Sequence, residues 1–268
     1  MELASIHIQC VYGDDDVTHI EQLLLPSLLE ATRLEVDFHC LNFNGQAALE
    51  NIDNNPRLRI HQVASAQRAA GFAENHNTLF KSYTADGVFM IVNPDCIAGE
   101  DSVEKLLEAF NSRQDVAIVE ARQWPFEHSK GYDAKSLETK WACGAFALID
   151  SAFYASIGGM DENYFLYAED TDLSYQATRL GMKVLYQPEA EVMHFTGSRH
   201  YPKNFTSLEW FFGIRNSMYL ARKFGGAKAE KAALKKVRFR VESWLADWAI
   251  ASYKSMPDIR FSESENPS

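Results

Sequence analysis

Three carboxylates stand within four positions at Glu169, Asp170 and Asp172, at the head of a helix-like run, and a lone His194 follows on a strand-like run. Crowded carboxylates repel one another, and the repulsion raises the proton affinity of at least one of them. A carboxylate tuned that way can act as a general base, and a nearby imidazole can complete a metal site. Acids at a helix start also cap it and complement its dipole, so the cluster has a purely structural reading as well. Residues two apart on a helix do not face each other, which lets Asp170 and Asp172 hold different jobs. His194 lies in Glu191-Val192-Met193-His194-Phe195. A lone strand histidine is more often a satisfied core residue than a ligand, and this one gains weight only from its neighbours.

One further carboxylate belongs with these. Val88 to Val92 is a short, wholly apolar run, as expected of a strand buried on both faces, and it stops at Asn93-Pro94-Asp95. Ligands of open α/β sheets bind beyond the carboxyl ends of the strands. Asp95 is thus placed to hold a divalent cation, since hard cations prefer carboxylate oxygen. Asn-Pro-Asp is also good turn chemistry, and on this segment alone the turn is the stronger reading. The triplet Asp14-Asp15-Asp16 reads as a solvated loop and helix cap, with contact to a nucleoside as the lesser alternative.

The elements that must carry these residues alternate. Strands are expected at Ser5 to Tyr12, Val36 to Leu41, Leu58 to Val63, Val88 to Val92, Val116 to Glu120 and Gly144 to Asp150, with two short ones at Val184 to Tyr186 and Glu191 to Phe195. Helical spacing runs from Val17 to Arg33, interrupted by Pro26, and again over Glu74 to Thr84, Asp101 to Asn111 and Asp170 to Leu180, the last closed by Gly181. Trp124 to Trp141 reads as a loop. Strands alternating with helices signal an α/β fold around a mostly parallel sheet. One long helix is expected from Ala227 to about Tyr253, with Leu234, Val237, Val241, Trp244 and Trp248 as its apolar stripe.

Composition bounds the function. The 268 residues carry a net charge of -11, against general nucleic-acid binding, and 46% hydrophobic residues, ordinary for a globular chain. Charge is uneven: Arg215 to Arg240 holds nine basic residues against the single acid Glu230. Cys10, Cys40, Cys96 and Cys143 are far apart with no CxxC spacing, which suggests reduced, buried thiols in a cytosolic protein. No signal peptide and no apolar run of membrane-spanning length is visible. A dinucleotide-binding dehydrogenase is set aside, because no GxGxxG follows the first strand.

Several segments in this order resemble one family. They are Gly71-Phe72-Ala73-Glu74-Asn75-His76-Asn77, Asn93-Pro94-Asp95, Cys143-Gly144-Ala145-Phe146, Gly158 to Phe165, Glu169-Asp170-Thr171-Asp172-Leu173, Pro188 to His194, and Arg215-Asn216. Together they look like a family 2 glycosyltransferase of the GT-A fold, in its rhamnosyltransferase-like branch, over roughly Ala4 to Leu220. The resemblance implies an α/β GT-A domain at 1–220, a basic helical extension at 221–256 and a polar tail at 257–268. It implies inverting, metal-dependent transfer of a sugar from a nucleotide sugar to a hydroxyl of a glycan or lipid-linked saccharide. The donor leans to dTDP-rhamnose, with a UDP-sugar close behind. The contrasting reading is a non-catalytic glycan or nucleotide binder in a polysaccharide assembly complex.

The implied roles fall on numbered residues. Asp170 is the base, with Glu169 and Asp172 tuning or positioning it. The donor site comprises Tyr12, Asn42, Gly71, Phe72, Asn77, Asn93, Asp95, Gly144 and Arg215. Trp141, Asp161 and Glu162 face the acceptor. Asp95 and His194 hold Mn2+ or Mg2+. Two departures stand out. The second strand ends in Leu41-Asn42-Phe43-Asn44-Gly45 where the family has an Asp-rich segment, and Gln176 stands where it usually has Arg, with Arg179 three residues on. The basic C-terminal helix has three readings: packing on the domain, dimerisation, or contact with an anionic membrane. A cytoplasmic location follows, with peripheral contact at the inner face of the plasma membrane if the last reading holds.

Overall fold

The computed structural model describes residues 4–51, 54–65, 70–84, 87–195, 207–257 and 259. The strands are β1 (Ser5–Tyr12), β2 (Glu35–Asn42), β3 (Leu58–Val63), β4 (Val88–Val92), β5 (Cys96–Ala98), β6 (Val116–Trp124), β7 (Phe146–Asp150) and β8 (Lys183–His194). They form one sheet in the order β3-β2-β1-β4-β7-β6-β8-β5. β1 to β4 run parallel, β6 and β8 run parallel to each other, and β7 and β5 run against their neighbours. The carboxyl ends of β1, β2, β4, β6 and β8 therefore share one edge with the amino end of β7.

β4 explains its own composition. Val88, Met90 and Val92 pack into the core on one face of the sheet, with Ile8, Leu28 and Leu106. Phe89 and Ile91 pack into the core on the other, with Phe153, Tyr154 and Leu173. A strand buried on both faces has no position for a polar side chain.

The helices are α1 (Val17–His19), α2 (Leu25–Ala31), α3 (Phe72–Lys81), α4 (Ser102–Asn111), α5 (Ser151–Ser156), α6 (Glu169–Arg179), α7 (Ser207–Val237) and α8 (Ser243–Lys254). Pro26 does not end the first helical run. A π-turn at Ile20–Leu24 links α1 to α2 and leaves Pro26 at the start of α2, where its missing N–H costs nothing.

Three expectations change. The two short strands expected near residue 190 are one strand, β8, whose pairing jumps from Ala121↔Gln187 to Arg122↔Glu191. Pro188 cannot donate to the ladder, and the bulge there turns the second half of β8 toward the short edge strand β5, which the sequence reading did not foresee. The single C-terminal helix is two. α7 begins at Ser207, kinks at Gly226 (φ 63°, ψ -166°) and stops at Val237, and α8 follows from Ser243. The division expected at residue 220 thus falls inside α7. The stripe also turns over: Leu245, Ala246, Ala249, Ile250 and Tyr253 are buried, whereas Trp244 and Trp248 are 54% and 48% exposed. The tail expected at 257–268 lies outside the described residues apart from Pro257 and Ile259.

Candidate active site

Asn93-Pro94-Asp95 is a turn, with Asn93 O accepting from Cys96 N at 3.2 Å, and the turn presents Asp95 at the carboxyl edge of β4. The re-aimed end of β8 pairs His194 opposite Cys96, which sets His194 Nε2 3.4 Å from Asp95 Oδ1. Asp95 Oδ1, His194 Nε2 and Cys96 Sγ form a compact group. The Cys96 thiol is buried, donates to Ala145 O at 3.4 Å, and is pushed well up by burial, so it is a poor ligand beside the other two. His194 Nδ1 lies 2.7 Å from Gln123 Oε1, which accepts a proton carried there. Nε2 faces a carboxylate oxygen, a contact that a cation between them or a proton on Nε2 satisfies. Their separation is close to the roughly 3.0–3.4 Å of adjacent ligands on one cation with bonds of about 2.1 Å. One carboxylate oxygen and one imidazole nitrogen at this spacing are a donor set that fits a divalent cation.

The second half of the site is joined to the first through two residues. Asn93 N donates to Ala145 O at 2.8 Å, and Gly144 N donates to Asp170 Oδ2 at 3.2 Å. Asp170 Oδ1 accepts from Thr171 N at 2.6 Å. Phe72 lies against Gly144, where a Cβ would stand 3.6 Å from Asp170 Cβ and 3.7 Å from the Phe72 ring. Asp170 is half-buried in this corner.

Two consecutive non-glycine residues with positive φ, Tyr167 (70°) and Ala168 (73°), precede α6. Such conformations cost about 1–3 kcal/mol each and persist only where the surroundings hold them. Here Asn216 Nδ2 donates to Leu166 O at 2.7 Å and to Tyr167 O at 2.6 Å. Arg215 Nη2 donates to Asn163 O at 3.0 Å. α7 thereby fixes the arch that aims the start of α6 at Gly144.

The two acidic neighbours of Asp170 do not crowd it with charge. Glu169 is 5% exposed and its Oε2 meets no hydrogen-bond partner among the described residues. Burial, with the Asp170 charge adding, pushes its carboxyl well above the usual range and favours the neutral form. Asp172 faces away from Asp170. It accepts from Tyr164 Oη at 2.8 Å and Gln176 Nε2 at 2.9 Å, and it pairs with Lys223 Nζ at 2.8 Å. Gln176 brings only a neutral amide to Asp172, and the cation there comes from α7, while Arg179 lies on the exposed side of α6.

The Glu169 proton has a consequence. An unfolded glutamate loses its proton near 4.5, while the folded one keeps it, so the folded state binds more protons and stability falls as pH rises above that value. Glu169→Gln has no proton to lose. Its melting temperature relative to wild type is expected to rise between pH 5 and pH 8; a constant difference would count against a buried neutral Glu169.

Several residues expected to touch donor or acceptor make contacts that hold the fold. Tyr12 is fully buried, with its hydroxyl donating to Ala47 O at 2.7 Å. Asn42 spends its amide on Asp14 Oδ1 (2.6 Å), Ala47 O (3.0 Å) and Gly45 N (2.9 Å). Asp14 and Asp16 close the same loop, Asp16 Oδ2 accepting from Gly13 N at 2.8 Å. Asn77 is 2% exposed and clamps Met160 N (3.0 Å), Met160 O (2.9 Å), Glu162 Oε1 (2.9 Å) and Tyr154 Oη (2.7 Å). Gly71 is glycine because a Cβ would stand 2.4 Å from Phe165 O. Arg215 is 9% exposed beneath the 163–167 segment. Asp161 faces Lys223 at 2.7 Å, and Glu162 is exposed. Trp141 borders the site, with Lys130 Nζ 3.9 Å above its ring. Lys130 in turn pairs with the buried Glu120, whose carboxyl burial pushes up to about 7 against the pull of Lys130. Asn216 was named only within the Arg215-Asn216 segment, and Lys223, Gln123, Glu120 and Lys130 were missed. Each of these four is an ordinary residue in sequence, and for Lys223 the signal was the basic run of α7.

Comparison with known proteins follows this geometry. The family described as Glycosyltransferase like family 2 matches residues 132–209. The rhamnosyltransferase WbbL of Escherichia coli K12 is 30% identical over 84 residues, 31% of each chain. An N-acetylglucosaminyl-diphospho-decaprenol L-rhamnosyltransferase of Mycobacterium tuberculosis is 39% identical over 54 residues, 20% of this chain and 18% of that one. The chain thus matches under a third of the length of these curated relatives. In fold it is similar to the mannosyltransferase PcManGT from Pyrobaculum calidifontis, solved with GDP-Man and Mn2+ (TM-score 0.60, 12% identity, 92% of this chain and 79% of that one). It is likewise similar to GalNAc-T7, solved with UDP, GalNAc and Mn2+ (TM-score 0.64, 10% identity, 94% of this chain and 55% of that one).

Proposed function

We propose, for a chain that belongs with the rhamnosyltransferase-like family 2 glycosyltransferases and has the GT-A fold, inverting transfer of a sugar from a nucleoside-diphosphate donor to a hydroxyl of a lipid-linked or glycan acceptor. The observation that carries the reading is the pairing of Asp95 and His194 at 3.4 Å, joined through Gly144 and Ala145 to Asp170. Asp95 and His194 would hold Mn2+ or Mg2+, which when bound offsets negative charge on the leaving diphosphate. Asp170 would take the proton of the attacking hydroxyl, with Gly144 N–H and Thr171 N–H holding its carboxylate in place. Glu169 and Asp172 act on position: one stays neutral beneath the helix start, and the other anchors it to α7.

The rhamnosyltransferase names of the matched relatives support dTDP-rhamnose as donor, ahead of a UDP-sugar. The test is a donor panel by thermal shift with Mn2+, because ligands that bind the native state raise its melting temperature. dTDP-rhamnose is expected to give the largest rise, and to give none in Asp95→Ala. A larger rise with a UDP-sugar would move the donor assignment. Sugar transfer or donor hydrolysis by no donor, with glycan binding retained, would overturn the catalytic reading.

On this reading the enzyme works in the cytoplasm at the inner face of the plasma membrane, where its four free, buried thiols stay reduced. Among the described residues no helix is long and apolar enough to cross a membrane. Phe239, at 82% exposure, sits between Arg238 and Arg240, and Trp244 and Trp248 share the outer face of α8. Aromatic side chains among basic ones suit the interface of an anionic bilayer. The intact protein is expected to sediment with anionic but not zwitterionic vesicles. The variant F239A/W244A, which spares Trp248 because its ring stacks on Phe211 at 4.0 Å, should lose that binding and keep activity on a soluble acceptor. No binding of the intact protein to anionic vesicles would remove the membrane role.

A further inference from the structure

Gln123 is 2% exposed, and its side chain meets Glu120, His194 and the Cys143 thiol. Its Nε2 lies 3.3 Å from Glu120 Oε1. The other Glu120 oxygen accepts from Lys130 Nζ, and the side chains of this pair are only 2% and 3% exposed. An ammonium can only donate, so Glu120 is held as an acceptor and the Gln123 NH2 must face it. Residues three apart on a regular strand point to opposite faces, but the pairing of β6 with β8 slips between Ala121 and Arg122, and there Glu120 and Gln123 meet.

The consequence passes to His194. With its NH2 toward Glu120, the Gln123 amide presents its oxygen to His194 Nδ1 at 2.7 Å. A carbonyl oxygen can only accept, so Nδ1 carries a proton, and in the neutral ring the Nε2 lone pair faces Asp95. Asn93 Nδ2, a donor 3.3 Å from Nε2, agrees with this tautomer.

We propose that Gln123 is a positioning residue for His194, fixing the ring with Nε2 unprotonated and aimed at a divalent cation shared with Asp95, and that the buried Lys130–Glu120 pair sets the polarity of Gln123. The proposal rests on the reading of Asp95 and His194 as cation ligands. Because Lys130 also covers Trp141 and lies 3.4 Å from its carbonyl, the loop between β6 and β7 and the cation site share one polar chain.

The test uses the full chain without metal. A long-range 1H–15N spectrum at pH 8 reports the tautomer of each of the eight histidines, and the His194 signal is the one lost in His194→Ala. The Nδ1–H tautomer is expected in wild type, and a mixture or the Nε2–H tautomer in Gln123→Met. Mn2+ affinity, read by electron paramagnetic resonance of the free ion, is expected to fall about 10–100-fold in Gln123→Met. A loss of packing alone would not move the tautomer. An Nε2–H tautomer in wild type overturns the proposal even if Gln123→Met fails to fold. So does a Gln123→Met protein with unchanged tautomer and affinity. If His194→Ala binds Mn2+ as wild type does, the cation reading falls and takes the proposal with it. That result is distinct from failure at Gln123 alone, where His194→Ala loses Mn2+ and Gln123→Met does not.

Discussion

Asp170→Asn is expected to lower the rate of sugar transfer by about 10²–10⁴-fold, the span of a lost general base. The side chains match in shape, and the Asn oxygen still accepts from Thr171 N, now 2.6 Å from Asp170 Oδ1, while the Asn NH2 replaces the oxygen that accepts from Gly144 N at 3.2 Å. The ability to take a proton is lost together with that one longer bond. The melting temperature and its rise with Mn2+ and donor should therefore stay close to wild type, because Asp95 and His194 are untouched. Single-turnover kinetics with saturating donor separate the two effects. Wild-type turnover by Asp170→Asn would mean that the proton goes elsewhere, whereas failure of donor binding would mean that Asp170 belongs to the donor half of the site.

The second large effect lies outside the site. Lys223→Met is expected to destabilise the protein by about 3–5 kcal/mol, since removing one partner strands buried charge. Lys223 Nζ stands 2.7 Å from Asp161 Oδ2 and 2.8 Å from Asp172 Oδ2, and Asp172 is fully buried. Without the ammonium, these carboxylates keep neutral donors: Asn163 Nδ2 at 2.7 Å and Tyr219 Oη at 3.2 Å on Asp161, and Tyr164 Oη at 2.8 Å and Gln176 Nε2 at 2.9 Å on Asp172. At roughly 2–4 °C per kcal/mol for a chain of this size, the melting temperature should fall by roughly 6–20 °C.

The sign with pH follows from the same contact. Burial raises the Asp172 carboxyl even with Lys223 present, and losing the cation raises it further. The folded variant then binds protons that the unfolded chain releases, so its deficit should deepen from pH 5 to pH 8. Asp172→Asn in the same background removes one stranded charge and should recover part of the loss. A deficit below about 1 kcal/mol in urea, the level of an exposed pair, would show that the cluster is not tightly coupled.

These contacts explain how much was legible beforehand. The strand at Val88 to Val92 was readable because a strand buried on both faces admits only apolar residues. The turn at Asn93-Pro94-Asp95 and the start of α6 were readable because both are written in local backbone chemistry. The C-terminal helices were misread for an equally physical reason. Leu234, Val237, Val241, Trp244 and Trp248 form a stripe only if one helix runs through, and residues 238–242, between α7 and α8, rotate the second half so that its two tryptophans face outward.

For the site, the sequence by itself placed Asp95, Asp170 and His194, two carboxylates and an imidazole, at strand and helix ends, and the family resemblance proposed their roles. Local spacing settles such placements, because ends of elements are set by residues close in the chain. Only the tertiary structure decided their partners. It set His194 against Asp95 by pairing β8 with β5, buried Glu169 neutral, turned Asp172 to Lys223, and spent Tyr12, Asn42, Asn77 and Arg215 on holding loops. Each of those outcomes depends on a partner far away in the chain, and the cost of burying a charge or leaving a donor unpaired is fixed only once that partner is in place.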